Sequence, residues 1–214
     1  MTKDGVVEMT KIFSGLLLLI ASLFVCSFTL RAEPAAPLSA ESQRAYFKVY
    51  DRLVLAMVQQ RKDLIPGIMK EMSRLGEAGD PRAAFQYAMY YSVATDCEKG
   101  RTMTGKLFPE LLKLAQKDDW LACQNIAACY AHGIGCERNE AADDKWGRKS
   151  SELMKKAAAN DDPVAMLEET FRLMMMGDET KEAEALLHKL QKHDSKFAEY
   201  VLQKLAEEKK RSGK

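Results

Sequence analysis

The amino-acid sequence predicts an all-α fold, an α/α superhelical repeat in which pairs of helices stack side by side. Apolar residues recur at steps of three, four and seven along nearly every segment after residue 38, and the segments end at Gly, Pro, Asp or Asn. No segment alternates apolar and polar residues as a half-buried strand would. A third observation is an internal repeat that begins near Gly79, and such repeats are typical of stacked helical pairs.

A long apolar run precedes all of these predicted helices. The run covers residues 12–30, follows Lys11 and is followed by Ala32, a small residue before a Pro/Ala-rich stretch. These are the parts of an export signal, so we expect residues 1–32 to be a signal peptide and the protein to be periplasmic or secreted. The run is also long enough to span a bilayer, and an uncleaved membrane anchor stays open. The true start is either the first methionine or Met9.

The charge of the chain argues against a nucleic-acid partner. Without residues 1–32 the chain has equal numbers of basic and acidic residues. A protein that displaces counterions from phosphate needs a concentrated basic face. The basic ending, residues 209–214, is typical of a solvated helix end. We therefore expect membrane contact only through residues 12–30, and no nucleic acid.

A linker at residues 33–38 leads to a predicted N-terminal helical pair at residues 39–79. The first helix is predicted from about Ser39 to Gln60, because apolar residues follow one helical face through this stretch. The second helix is predicted to be capped by Asp63 and to have Pro66 in its first turn.

The repeat occupies residues 80–193 in about three units, and residues 194–214 are predicted as a capping helix and tail. Each unit begins with an acidic residue and has an alanine three residues later, and small residues let helices approach closely. Eight residues further on, a large side chain falls on the same helical face. The three alanines are Ala83, Ala122 and Ala165, and the large residues that follow them are Tyr91, Tyr130 and Leu173.

The second unit, residues 122–159, resembles the Sel-one-like repeat, a relative of the tetratricopeptide repeat. The pattern of that family runs from alanine through Leu-Gly, Tyr and Gly-x-Gly to a second helix rich in Lys and Ala. Its positions are taken here by Ala122, Ala127, Tyr130, Gly133, Gly135, Trp146, Ala157 and Ala158. Ala127 replaces the usual glycine. The resemblance implies helical hairpins that bury their apolar faces only by stacking on neighbouring hairpins.

The second unit is longer than the family pattern. Its Lys-Ala segment comes seven residues late, which places an insertion around Gly147 to Leu153. Seven residues return a helix to nearly the same face, so we expect a longer but unbroken second helix.

A phosphate-binding loop is suggested by spacing alone. Gly100, Gly105 and Lys106 match the glycine and lysine positions of that loop, but Leu107 stands where a Ser or Thr would hold magnesium. No strand precedes the segment, which falls in the predicted variable loop of the first unit. We expect no nucleotide and no other cofactor.

A metal site is suggested by four soft ligands, Cys123, Cys129, His132 and Cys136. Cys123 and Cys129 lie six residues apart on a predicted helix, so their side chains point to different sides. The four residues are therefore not expected to hold a metal ion.

A disulfide is the alternative use of the cysteines, because export would place them in an oxidising compartment. Cys97 and Cys136 lie 14 residues after the alanines of the first and second units, at equivalent sites in predicted loops. We predict a Cys97–Cys136 bridge, with Cys97–Cys129 as the alternative. In exported relatives of the family, cysteines join the second helix of one unit to the first helix of the next. That bridge is not implied here, because Ala115 stands where the partner of Cys123 would be.

No catalytic motif is present in the sequence. No serine has a lysine three residues later, and no serine elbow accompanies the three histidines. The resemblance implies a non-catalytic adaptor or scaffold that binds a protein or peptide on a concave surface. The alternative is an envelope-associated hydrolase or cell-wall-remodelling enzyme of the same repeat family. The residues expected to be exposed toward the partner are Gln86, Tyr90, Gln124, Asn125 and Glu169.

Overall fold

The computed structural model describes residues 38–94, 97–176 and 180–212. Over these ranges it contains nine helices and no strand, which confirms the all-α prediction. The helices are α1 (Ala40–Val58), α2 (Ile65–Glu77), α3 (Pro81–Ala94), α4 (Cys97–Gln116), α5 (Trp120–His132), α6 (Glu140–Ala159), α7 (Pro163–Met176), α8 (Thr180–Gln191) and α9 (Lys196–Ser212). The predicted signal peptide lies outside the described residues. None of these nine helices is long and apolar enough to cross a bilayer.

The helices pack in the order in which they occur in the chain. Each helix contacts its successor, from α1 against α2 to α8 against α9. The first helix makes two additional long-range contacts, with α7 and with α9. The chain therefore closes on itself, with its first helix against its last.

Four of the helices, α3, α5, α7 and α9, begin with the same turn. In each turn a residue with positive φ directly precedes the residue that caps the helix. The backbone N–H of the capping residue donates to the carbonyl of the residue five positions earlier. The side chain of the capping residue accepts hydrogen bonds from one or two backbone N–H groups in the first turn of the helix. The capping residues are Asp80, Asp119, Asp162 and Ser195.

Three of these caps are the acidic residues that begin the predicted units. The fourth, Ser195, starts the helix expected to be a terminal cap, and it too has an alanine three residues later, Ala198. All four alanines of this series have 0% exposure, because the closely approaching helices leave room only for a methyl group.

The N-terminal pair differs from its prediction in one cap. Leu64, rather than Asp63, precedes α2, and its side chain makes no capping hydrogen bond. Asp63 instead pairs with Arg61, at 2.7 Å between Oδ2 and Nη2. The proline at position 66 does lie in the first turn of α2, as expected.

The predicted loop at Gly100 to Lys106 is helical and lies within α4. Gly105 serves helix packing there, because its backbone touches that of Gly135 in the α5–α6 loop. A Cβ added to Gly135 would lie 2.6 Å from the Cα of Gly105. Gly135 also has φ +72°, a conformation that side-chain-bearing residues rarely adopt.

The turn between α5 and α6 contains both glycines of the Gly-x-Gly pattern. Gly133 ends α5 in the left-handed conformation, and Asn139 caps α6 by accepting the backbone N–H of Ala142. The longer second helix is unbroken, since α6 continues through Gly147 to Ala159.

Two hydrophobic clusters fill the interior. The smaller cluster consists of buried residues between positions 85 and 134, on α3, α4, α5 and the start of the following loop. The larger cluster spans positions 46 to 201 and joins α1 and α2 to α7, α8 and α9. It contains the most deeply buried aromatic residues, Tyr46 and Phe197, both with 0% exposure.

Candidate functional site

A pocket of about 320 Å³ lies where α1 passes the start of α7 and the loop between α8 and α9. One wall is a face of α1, and the opposite wall is formed by the α8–α9 loop. The residues that line it are Ala40, Gln43, Arg44, Phe47, Lys48, Arg82, Trp120, Asp162, Pro163, Val164, Lys192, His193 and Asp194.

The inner part of the pocket is fixed by packing and by an ion pair. Phe47, Trp120 and Val164 belong to the larger cluster and are almost fully buried. Arg82 is 8% exposed, and its guanidinium pairs with Asp80 at 3.1 Å and with Asp119 at 3.7 Å. Burial disfavours its charge, but the hydrogen bond and charge of Asp80 keep the pKa of Arg82 above its ordinary value. This positive group therefore stays charged and in place.

The rim of the pocket is basic and exposed. Arg44 and Lys48 lie one turn apart on α1, and Lys192 lies across the pocket from them. None of the three side chains has a hydrogen-bond or ion-pair partner among the residues that the structure describes. This arrangement attracts anions, because unpaired cations on two sides of a recess reinforce one another.

The remaining charged groups at the pocket are already engaged or exposed. Asp162 accepts the backbone N–H groups of Val164 and Ala165 at the start of α7. His193 faces Asp161 at 3.7 Å and places its ring edge against Phe47. Asp194 is exposed, so the lining residues include two carboxylates besides the basic rim.

The five residues expected to face a partner do not form one exposed surface. Gln124 is exposed, whereas Gln86 and Tyr90 are partly buried. The prediction of exposure is wrong for Asn125, which is 4% exposed, and for Glu169, which is 5% exposed. Glu169 accepts two hydrogen bonds from Arg172, each at 2.7 Å.

The first described helix touches the start of α3 and packs on α7. The ring of Tyr46 lies under the Arg82 guanidinium, 5.1 Å from its carbon, and the hydroxyl of Tyr50 donates to the carboxylate of Glu168. Burial raises the pKa of Glu168. Tyr90 of α3 packs against the larger cluster, to which α1 contributes. Parts of the first helices of the first and third predicted units are thus covered by α1.

The first helix also caps the last one. Asp51 is 3% exposed and accepts hydrogen bonds from the Ser195 hydroxyl at 2.5 Å and from the Lys196 backbone N–H at 2.8 Å. The backbone N–H of Phe197 is 3.4 Å from the same carboxylate. Burial raises the pKa of Asp51, and these hydrogen bonds oppose that rise.

The four cysteines after the predicted signal are free thiols in the structure, so neither expected bridge is formed. Cys97 is the first residue of α4 and is exposed, rather than lying in a loop equivalent to that of Cys136. Cys136 packs instead against the smaller cluster, where it interacts with the buried Cys129. Burial, with a smaller contribution from Cys136, raises the pKa of Cys129 to about 12. At neutral pH Cys129 is therefore an unreactive thiol.

The other sequence candidates for chemistry are not brought together. Cys123 is buried and its pKa is raised to about 11 by burial, whereas His132 is exposed at the end of α5. Within the described ranges, no three His, Cys, Asp or Glu side chains are grouped closely enough to hold a metal ion.

The pocket was not predicted from the sequence. The spacing of Arg44 and Lys48 places both on one side of a helix, which is the only local signal of a basic site. Nothing in the sequence indicates that Lys192, far along the chain, lies opposite them. Comparison of the chain with protein-family models, curated proteins and solved structures gives no match.

Proposed function

We propose that the chain is an exported helical-repeat protein of the Sel-one-like type, which acts as a non-catalytic adaptor or scaffold for a protein partner. The observation that carries the proposal is the shared turn at the starts of α3, α5, α7 and α9. Each turn combines a positive-φ residue, the same backbone hydrogen bond and a side-chain cap. Stacked units that repeat one local geometry build an extended surface, and proteins of this kind generally use that surface for binding.

The partner surface we propose is narrower than the sequence prediction. Because α1 covers part of the first helices of the units, a partner contacts the exposed positions that remain. These are Gln124 on α5 and the mouth of the pocket beside α1. Binding there requires only that amide, basic and apolar groups of this chain contact the partner. It requires no reactive side chain.

Site-specific photo-crosslinking tests the adaptor role. A photoreactive residue at Gln124 is expected to give a discrete crosslinked product in native envelopes, and untagged protein is expected to compete with it. The same residue at Glu152, exposed on α6, serves as the matched control and is expected to give less of that product. Equal labelling at both positions, or none, would contradict the proposed surface.

Export and lack of catalysis are tested separately. The mass of the mature N-terminus distinguishes cleavage after Ala32 from a retained anchor. Hydrolysis of envelope material by the purified protein, lost in His132→Ala or Cys136→Ala, would favour the enzyme alternative instead.

A further inference from the structure

We propose that the pocket between α1, α7 and the α8–α9 loop binds a small polyanion, a ligand with two or more carboxylate or phosphate groups. This binding site goes beyond the adaptor role, since a free anion needs no protein partner in order to bind there. The same chemistry is carried by an acidic peptide segment, and the experiment below separates these two sources.

The charge distribution is the first argument. Three cationic side chains without partners among the described residues, Arg44, Lys48 and Lys192, line the pocket together with two carboxylates, those of Asp162 and the exposed Asp194. The chain as a whole has a net charge of only +1. Three exposed cations around one recess strengthen one another's effect on a ligand at the rim.

The size of the pocket and the spacing of its cations also suit a small ligand. Its volume of about 320 Å³ lies at the lower end of the range of small-molecule sites. Arg44 and Lys48 are separated by about 6 Å along the helix axis, since each residue of a helix rises about 1.5 Å. Both side chains are long and exposed, so their charged ends can move together or apart and engage two neighbouring acidic groups of one ligand.

The inner wall of the pocket also supports the site, because it combines a fixed guanidinium with apolar side chains. Arg82 is held in place by Asp80 and Asp119, and it presents a fixed guanidinium with little freedom to lose on binding. Because two carboxylates carry more charge than the one guanidinium, the attraction for an anion comes from the rim alone. Phe47 and Trp120 beside it offer apolar contact to the carbon skeleton of an organic anion.

Calorimetric titration of the full chain tests the site with three probes: citrate, inorganic pyrophosphate and an acetylated, amidated tri-aspartate peptide. At low ionic strength we expect at least one probe to bind. The triple variant Arg44→Gln, Lys48→Gln, Lys192→Gln is expected to bind it at least tenfold more weakly, since each close charge contributes roughly 1 kcal/mol. These side chains are exposed, and circular dichroism checks that the variant folds.

The control variant, Lys62→Gln, Lys106→Gln, Lys155→Gln, removes the same charge from exposed lysines away from the pocket. It is expected to bind the probe within twofold of the unmodified chain. Binding of the peptide alone identifies an acidic segment as the source, whereas binding of citrate or pyrophosphate identifies a free anion, and either supports the site. Failure of all three probes, or equal weakening by both triple variants, overturns it.

Discussion

The two hydrophobic clusters differ in how far along the chain their members lie. The smaller cluster is formed by residues between positions 85 and 134, so it arises from consecutive helices α3 to α5. The larger cluster joins Tyr46 of α1 to Val201 of α9, almost the full length of the described chain. The difference shows that one molecule combines a locally assembled core with a core that only distant contacts can complete.

Truncation of one deeply buried residue in each cluster tests this division. Phe197→Ala in the larger cluster is expected to lower the free energy of unfolding by about 3–5 kcal/mol, because it leaves a large cavity. Leu111→Ala in the smaller cluster, also at 0% exposure, is expected to cost about 2–5 kcal/mol. Urea unfolding measures both losses.

Hydrogen exchange of the same variants shows where each loss acts. Phe197→Ala is expected to increase exchange in α1 and α7, the helices that the larger cluster joins to α9. Leu111→Ala is expected to increase exchange chiefly in α3, α4 and α5. If Leu111→Ala opens α1 as much as Phe197→Ala does, the clusters form one cooperative unit and the division is wrong.

The buried carboxylate of Asp51 is the polar part of the closure between α1 and α9. Asp51→Ala removes the acceptor for the Ser195 hydroxyl and the Lys196 backbone N–H, so we expect a loss of about 2–3 kcal/mol in unfolding free energy. Asp63→Ala is the matched control, since Asp63 is exposed and pairs only locally with Arg61. Its effect is expected to be much smaller, because an ion pair in water contributes little to stability. If Asp51→Ala lowers the free energy of unfolding as little as Asp63→Ala does, the closure contributes little stability.

Two glycines near the smaller cluster should respond to alanine with opposite signs. Gly135→Ala is expected to cost about 1–3 kcal/mol, because Gly135 has φ +72° and a Cβ there would meet Gly105. Gly147→Ala is expected to stabilise the chain by about 0.5–1 kcal/mol, since Gly147 lies inside α6 with no atom within 4 Å of an added Cβ. Thermal unfolding measures both changes. A stabilised Gly135→Ala variant would contradict the close approach of α4 to the α5–α6 loop.

Features set by neighbouring residues could be predicted from the sequence. The caps at Asp80, Asp119 and Asp162 and the left-handed end of α5 at Gly133 depend on chemistry within one turn of a helix. Segments where a distant contact decides the structure were predicted less well. Gly100 to Lys106 was expected to be the variable loop of the first unit, yet it is helical, and Gly105 meets the backbone of Gly135.

The candidate site could not be predicted for the same physical reason. Asp51 and Ser195 lie 144 residues apart, and no local pattern relates them. The pocket, whose lining runs from Ala40 to Asp194, and the contact of α1 with α7 likewise join residues far apart in the chain. The expected disulfide assumed equivalent loops, whereas Cys97 lies on a helix and Cys136 packs near Cys129.

The closure of α1 on α9 also sets an order of events during synthesis. A ribosome makes α1 before any other described helix, whereas its partners α7 and α9 come at the end of the chain. The part of α1 that packs on α7 and α9 must therefore remain uncovered, or be held by another protein, until nearly the whole chain has emerged. The smaller cluster needs no such delay, so the middle of the molecule is expected to fold first and both ends to join it last.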